Sequence, residues 1–268
     1  MKDLIQLFGA YAKSGIRSYF AYRLDAIMRT IAVFLRESAG VIAIYLALLK
    51  FDTINGWNID ELIFLFSLIF ITYALFIMFF KSFRDFSTWV KRGEFDRVLL
   101  RPRGLLTQLI LCGGDWLATF GHGALGITLF LLSAGRVGIR WNLGLVLYYL
   151  SSIIGGVLIQ GALFLIFSTV SFYVVESSSL QNLIFWNMRS FAVYPISIYP
   201  RIIQTILISV VPRSFVNYFP AQFFLRKADM ADYPTFFLYL SPFVGVVLFG
   251  LACLFWKFSL KYYQSTGN

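Results

Sequence analysis

Six apolar segments, each about as long as a membrane is thick, limit what this chain can fold into. An α-helix needs about 20 mostly apolar residues to cross a hydrocarbon core of about 30 Å. The segments cover residues 31–49, 61–80, 105–133, 143–174, 180–211 and 235–257. Hydrophobic residues make up 59% of the chain and charged residues 13%, which leaves too little polar surface for a water-soluble domain. The sequence therefore predicts an all-α integral membrane protein with six transmembrane helices.

No polar block between the segments is long enough to fold separately, so residues 1–268 are predicted to form a single transmembrane domain. Residues 1–28 are predicted to form an amphipathic elbow helix at the membrane surface, with a cytoplasmic tail that only sets the topology as the alternative. Residues 81–104 are predicted to form a cytoplasmic loop. Residues 194–234 contain prolines at 195, 200, 212 and 220, too many for a straight crossing, because each proline removes a backbone donor. External re-entrant helices are expected there, before the last span.

Lysine and arginine are distributed unevenly between the two sets of loops. With the N-terminus in the cytoplasm, fourteen of the 23 lie on the cytoplasmic side and seven on the other. Because positive loops stay inside, both Met1 and Asn268 are predicted to be cytoplasmic, and the loop over residues 50–60 external. The net charge of +10 then belongs to the cytoplasmic face and the lipid headgroups, so membrane lipids rather than nucleic acid are the expected partners.

Few charged residues lie within the apolar segments. Arg36, Glu37, Asp115 and Arg189 do so, and each is expected to be paired, to lie near an interface or to line a polar path. Arg36 and Glu37 point about 100 degrees apart on a helix, so they are not expected to be each other's best partner. The single histidine, His122, is flanked by glycines and is expected to serve in helix packing or hydrogen bonding.

The sequence lacks the short motifs of the common catalytic sites. It contains no G-x-x-x-x-G-K-[ST], H-E-x-x-H, C-x-x-C or G-x-S-x-G stretch. We therefore expect that the chain is not an enzyme and holds no metal or cofactor of its own. If ATP drives its function, another subunit must bind the ATP.

The predicted loop over residues 81–104 has more apolar side chains than a solvated connector needs. Either another protein docks there, or the loop is a second interfacial helix whose aromatic rings lie among lipid headgroups. In a docking site the aromatics would anchor, since burying one contributes about 1.5–3 kcal/mol and a rim charge under about 1 kcal/mol. The candidate docking residues are Arg84, Phe86, Trp89, Arg92, Gly93, Phe95 and Arg97.

The order of these features resembles the permease subunits of bacterial type II ATP-binding-cassette exporters. YRLDAIMR precedes the first span, FLRES lies within it, and GEFDRVLLRP, residues 93–102, follows the second span. The last stretch is similar to the G-x-x-D-x-x-L-x-[KR]-P pattern of that family, and the prolines before the last span are also similar. The likeness covers most of the chain.

The resemblance implies a specific assembly. Such permeases work as dimers of identical or related subunits in the bacterial plasma membrane. Each subunit contacts a separate cytoplasmic ATPase, which binds ATP and Mg²⁺, through the elbow helix and a coupling helix in the first cytoplasmic loop. The candidate docking residues above would then be ATPase-coupling residues, and the function would be ATP-driven export.

Two other classes of protein remain open. A secondary transporter would use ionisable residues in the middle of the membrane, and Asp115 is the acidic residue that fits this best. A membrane scaffold that transports nothing is also compatible with the sequence. A neighbouring ATPase gene would favour the exporter over both.

Overall fold

A computed structural model describes the chain over residues 23–48, 52–112, 114–174, 193–227 and 233–263, with single positions at 6, 9, 10, 13, 14, 17, 20, 21, 50, 181, 191 and 229. Most of the elbow predicted over residues 1–28 falls outside these residues. So do the predicted intramembrane charge Arg189 and the two termini, Met1 and Asn268. Within the described residues the secondary structure is helical and no strand is present.

The described α-helices are α1 (Arg23–Leu48), α2 (Ile59–Lys91), α3 (Glu94–Leu99), α4 (Leu105–Cys112), α5 (Trp116–Ala134), α6 (Leu143–Val170), α7 (Arg201–Thr205), α8 (Tyr218–Leu225) and α9 (Ser241–Ser259). A π-helical turn, Ile206–Val210, continues α7. Three described segments are long and apolar enough to cross a membrane: α2, α6 and Ser241–Tyr262. The all-helical membrane class is therefore confirmed, and the count of six spans stays a prediction.

Helix α2 is longer than the sequence analysis predicted. Asn58 caps it by accepting a hydrogen bond from the Glu61 N–H at 3.0 Å, and the Glu61 carboxylate accepts one from the Asn58 N–H at 2.9 Å. The helix then continues for 33 residues to Lys91. The first half of the predicted 81–104 loop is thus the helical end of α2, because no glycine or proline interrupts it before Gly93.

The predicted third span is divided in two. Helix α4 ends at Cys112 and α5 begins at Trp116, with Asp115 as its cap. The Asp115 carboxylate accepts a hydrogen bond from the Ala118 N–H at 3.0 Å and pairs with Arg29 of α1 at 2.8 Å. The predicted third span is therefore interrupted where Asp115 caps α5 and pairs with Arg29.

The core is built around α2, which packs against α5 and α6, while α1 packs against α5 and α9 against α6. The contact between α6 and α9 is very close. A Cβ atom built on Gly155 of α6 would lie 2.5 Å from the Ser241 carbonyl oxygen, and one built on Gly245 of α9 would lie 2.5 Å from the Gly155 carbonyl oxygen. The small residues of α6 therefore allow two backbones to touch, as expected for membrane helices.

One end of the molecule gathers the segments predicted to be external. Asn55 donates a hydrogen bond to Ser197 at 3.0 Å, which joins the 50–60 loop to the region 194–234. Arg136, from the connection between α5 and α6, lies 3.4 Å from Asp60 in an ion pair. With six spans and the N-terminus in the cytoplasm, all three regions are predicted to lie on the external side, and the contacts agree with that grouping.

The region 194–234 consists of short helical pieces in its described part. The longest, Arg201–Val210, is an apolar helix too short to span a bilayer alone. Proline residues 195, 200 and 212 immediately precede three of the pieces. The irregular structure follows from these prolines, and entry of the pieces into the membrane stays a prediction.

Single-cysteine labelling can test the predicted sidedness. Ser87 lies in the segment predicted to be cytoplasmic, but it is only 4% exposed, so failure to label a cysteine there would not report on sidedness. Leu100, 86% exposed, is the better probe. With Cys112 and Cys253 replaced by alanine, an impermeant maleimide added to intact cells should label Asn55→Cys and not Leu100→Cys. Labelling of Leu100→Cys from outside would reverse the topology.

Candidate functional site

The candidate docking residues lie on a helical hairpin, defined here as residues 81–104: the end of α2, a turn, α3 and the turn and bend residues after it. The turn is at Gly93, whose φ of 65° lies in the left-handed region that favours glycine. Helix α3 then folds back beside α2, and the ring centroids of Phe95 and Phe86 come within 4.8 Å of each other. Glycine at position 93 therefore permits the hairpin to close.

A buried aromatic cluster attaches this hairpin to the rest of the protein. It consists of Phe86, Phe95, Phe172, Trp256 and Tyr263. The Phe86 ring lies 4.9 Å from Trp256 of α9, and the Phe95 ring 5.0 Å from Tyr263. Such edge-to-face pairs each contribute about 0.5–1.5 kcal/mol beyond burial. The cluster thus fixes the hairpin to the ends of α6 and α9.

A hydrogen bond at the rim of the cluster strengthens the attachment. The Tyr263 hydroxyl donates to Asp96 of α3 at 2.8 Å. Burial, together with the Asp96 carboxylate, raises the pKa of Tyr263 to about 12. The phenol therefore keeps its proton, and the hydrogen bond persists over the physiological pH range.

Burial changes the interpretation of two candidate docking residues. Phe86 and Phe95 were predicted to anchor a partner, but both side chains are fully buried in the aromatic cluster. Because their surfaces are already covered by the chain itself, they cannot present rings to another protein in this conformation. Arg84 is also engaged, since its Nε donates to Asp85 at 3.0 Å. Phe86 and Phe95 therefore hold the hairpin's own structure, while Arg84 pairs with its neighbour on α2.

The remaining candidates form an accessible surface. Trp89 and Arg97 line a groove of about 290 Å³ between the hairpin and α4, and Glu94, Arg101 and Gln108 complete its polar lining. Trp89 is half-buried, while Arg92 and Arg97 are exposed. The groove therefore combines one aromatic side chain with charges of both signs. A protein surface with an apolar residue and a charged rim would fit it.

The base of the hairpin is tied to two other helices by ion pairs. Lys81 lies 2.8 Å from Asp85 and 4.0 Å from Asp115, which in turn pairs with Arg29 of α1. The Asp115 side chain is only 9% exposed. A movement of the hairpin would therefore act on α1 and α5 through Asp115.

A second polar cluster lies between α1 and α5. Arg36 and Glu37, which were not expected to pair, form an ion pair at 2.8 Å, because the long arginine side chain bends back along the helix. Glu37 also lies 3.5 Å from Nε2 of buried His122, whose Nδ1 is 2.8 Å from the Ala118 carbonyl oxygen. His122 packs edge-on against Tyr73, so its predicted packing role is confirmed.

The opposite end of the molecule is organised by Asp229. Its carboxylate accepts hydrogen bonds from Trp57 at 2.7 Å, Ser197 at 2.6 Å and Tyr218 at 2.9 Å, and from Gln222. Burial and the Asp229 charge raise the pKa of Tyr218 far above its usual range, so this phenol remains a donor. Four donors on one carboxylate fix the 50–60 loop to α8.

Sequence reasoning missed these long-range partners. Phe172, Trp256 and Tyr263 are ordinary interfacial aromatics in the sequence, and nothing local shows that they meet residues 86 and 95. Asp229 likewise follows Arg226 and Lys227, in a stretch whose composition is typical of a solvated loop. Among the described residues, no group of three or more His, Cys, Asp or Glu side chains could hold a metal ion.

Comparison with known proteins identifies the family of this chain. A family model described as ABC-2 family transporter protein matches residues 34–267, which include the hairpin and all helices from within α1 to α9. Searches of curated proteins and of solved structures gave no match. A match over most of the chain, on a fold of long apolar helices, establishes the relationship. The chain belongs to the ABC-2 family and is a multi-pass membrane permease of an ATP-binding-cassette transporter.

Proposed function

We propose that this permease is the membrane subunit of an ATP-driven exporter in a bacterial plasma membrane, with both termini in the cytoplasm. It forms the translocation path as a dimer with a second permease, identical or related, and couples to a separate cytoplasmic ATPase that binds ATP and Mg²⁺. The family match over residues 34–267 carries this proposal. The absence of a phosphate-binding loop from the sequence supports placing ATP hydrolysis in a partner.

The hairpin is the proposed coupling element. The aromatic cluster attaches the hairpin to α9, so the hairpin would move together with the helices it contacts, as a rigid lever. Its accessible groove offers Trp89 and Arg97 to the ATPase. Movement transmitted to the hairpin would reach α6 and α9 through Phe172 and Trp256, and α1 and α5 through the ion pairs of Asp115. When ATP binding brings the ATPases together, the movement would thus be transmitted to four helices, α1, α5, α6 and α9.

The proposed dimer is supported by the exposed face of α1. Arg36 lies at the middle of this helix with its side chain 68% exposed. Its ion pair with Glu37 leaves most of the guanidinium group uncovered. If α1 crosses the membrane as predicted, exposing this pair to lipid is costly, so a second subunit or an aqueous path would cover it. We therefore propose that the Arg36 face of α1 borders the translocation path between two permeases.

Affinity purification from the native membrane tests the proposal as a whole. A tagged chain should retain an ATP-binding-cassette ATPase and a second permease copy, and transport in inverted vesicles should require ATP. The contact between Glu37 and His122 is the observation that favours a proton-driven secondary transporter instead. Transport that follows a pH gradient without ATP, with no ATPase retained, would support that alternative and end the exporter proposal.

Trp89→Ala should weaken ATPase retention about tenfold or more, because truncating a buried interfacial tryptophan commonly removes over about 1.4 kcal/mol. Arg97→Glu should have a smaller effect that grows at low salt, since rim charges are screened. The measurement is the amount of ATPase that co-purifies with each variant at matched expression. Lys257→Glu, an exposed charge reversal on α9 outside the groove, is the control. Wild-type retention by Trp89→Ala would exclude the groove as the docking site.

A further inference from the structure

A large pocket lies at the end of the molecule opposite the hairpin. It has a volume of about 940 Å³ and is bounded by the connection between α5 and α6, by helix α8 and by the 3₁₀ turn Thr235–Tyr239. Since α6 begins at Leu143 beside it, the pocket lies where a spanning helix enters the membrane. Its volume is at the upper end of the range for small-molecule sites.

The charge lining the pocket is positive. Arg140, Arg226 and Lys227 lie in its wall, and none of its described lining residues is acidic. Lys227 is already paired with Glu61 at 2.8 Å. The exposed side chains of Arg140 and Arg226 form no ion pair within the described part of the chain, so their two charges are left for a ligand. Guanidinium groups suit phosphate, because they donate two parallel hydrogen bonds to it.

The backbone at Arg226 is strained. This residue ends α8 with φ of 52°, a left-handed conformation that a side chain other than glycine or asparagine rarely adopts. The Gln222 amide, one turn earlier, is held by Asp229, which fixes the end of α8. The left-handed residue closes the helix, with the Lys227 N–H donating to the Gln222 carbonyl oxygen at 3.1 Å, and Arg226 then lies in the pocket wall.

Aromatic side chains also line the pocket. Phe219, Phe223, Tyr233 and Tyr239 contribute rings to its wall. Four residues after Tyr239, Phe243 is 64% exposed on α9, a helix long and apolar enough to cross a membrane. A ligand for this site therefore has an anionic head at the interface and an apolar tail along α9.

We propose that this pocket binds the headgroup of an anionic phospholipid in the leaflet opposite the hairpin. The arginines would hold the phosphate, the aromatic rings the glycerol region, and α9 an acyl chain. This proposal requires only that the chain is a membrane protein. It does not depend on the coupling or the direction of transport.

Native mass spectrometry of the full-length protein, equilibrated with equimolar phosphatidylglycerol and phosphatidylcholine of equal chain length, tests the inference. Phosphatidylglycerol should be preferred by the wild type, and each of Arg140→Gln and Arg226→Gln should reduce that preference roughly fivefold. Arg136→Gln is the matched control, since Arg136 lies in the same connection but pairs with Asp60 and does not line the pocket.

Two outcomes would overturn the proposal. An unchanged preference for phosphatidylglycerol in the Arg140→Gln variant, which alters only an exposed loop side chain, would show that lipid binds elsewhere. Displacement of phosphatidylglycerol by millimolar inorganic phosphate would identify a free-anion site rather than a lipid site. Loss of ATPase association in another variant would leave the lipid proposal unaffected, so the two proposals can fail separately.

Discussion

Gly245→Val is expected to prevent assembly of the folded membrane domain. A Cβ atom at this position would lie 2.5 Å from the Gly155 carbonyl oxygen and 2.7 Å from the Gly155 Cα atom, well inside van der Waals contact. A clash between two backbones cannot be relieved by a side-chain rotation, so α6 and α9 must separate. We expect a cost above about 3 kcal/mol, the upper end of the usual cost of overpacking. The measurement is the monodisperse fraction after size-exclusion chromatography in detergent.

The same helix provides the control. A Cβ atom built on Gly250 meets no heavy atom within 4 Å, so Gly250→Val makes the same chemical change at an open position of α9. It should leave both the yield and the unfolding temperature close to those of the wild type. Gly155→Val, on the other side of the contact, should reproduce the loss. A monodisperse Gly245→Val protein with wild-type thermal stability would contradict the close α6–α9 packing.

The membrane class and most of the helices could be predicted from the sequence, because apolar length and composition are local properties. The end of α2 also could have been predicted. Phe83, Phe86 and Val90 recur at helical spacing and are all buried, and Gly93 is the first residue that interrupts the helix. Treating the charges of residues 81–92 as a loop signal concealed this pattern. Charges on a helix that leaves the membrane simply face the interface.

The candidate site could be predicted only in part. Trp89 and Arg97, both among the candidate docking residues, line the groove, and their docking role stays a prediction. The contacts that bury Phe86 and Phe95 could not be inferred, because their partners Trp256 and Tyr263 lie about 170 residues away along the chain and no local pattern encodes them. The pairing of Arg36 with Glu37 was missed for a different reason. Directions of Cβ atoms do not limit side chains as long as arginine.

Phe95→Ala is expected to release the hairpin from the body of the permease. Removing a fully buried phenylalanine costs about 3–5 kcal/mol, and here the cost falls on the contact between α3 and the ends of α6 and α9. Local opening of the hairpin should become about a hundredfold to several thousandfold more frequent. Limited trypsin digestion of the detergent-solubilised protein measures this as faster cleavage at Arg92, Arg97 and Arg103.

Trp256→Ala decides between two roles for Phe95. Trp256 belongs to α9 and is only 2% exposed, so it cannot touch an ATPase, yet it packs against both Phe86 and Phe95. If the aromatic cluster is an internal anchor, Trp256→Ala should accelerate cleavage and reduce ATPase retention much as Phe95→Ala does. The double variant should lose less than the sum of the two, because both remove the same packing. Leu100→Ala, an exposed hairpin position, should change neither measurement.

The opposite pattern would restore the direct docking role predicted for Phe95. In that case Phe95→Ala would abolish ATPase retention without faster cleavage, and Trp256→Ala would retain the ATPase at the wild-type level. Phe95→Leu adds a further distinction, since an internal anchor tolerates another apolar side chain of similar volume at a cost under about 1.5 kcal/mol. A hairpin held from inside should therefore be largely rescued by leucine. The hairpin would then transmit movement because the aromatic cluster is rigid, and Trp89 and Arg97 would bind the ATPase.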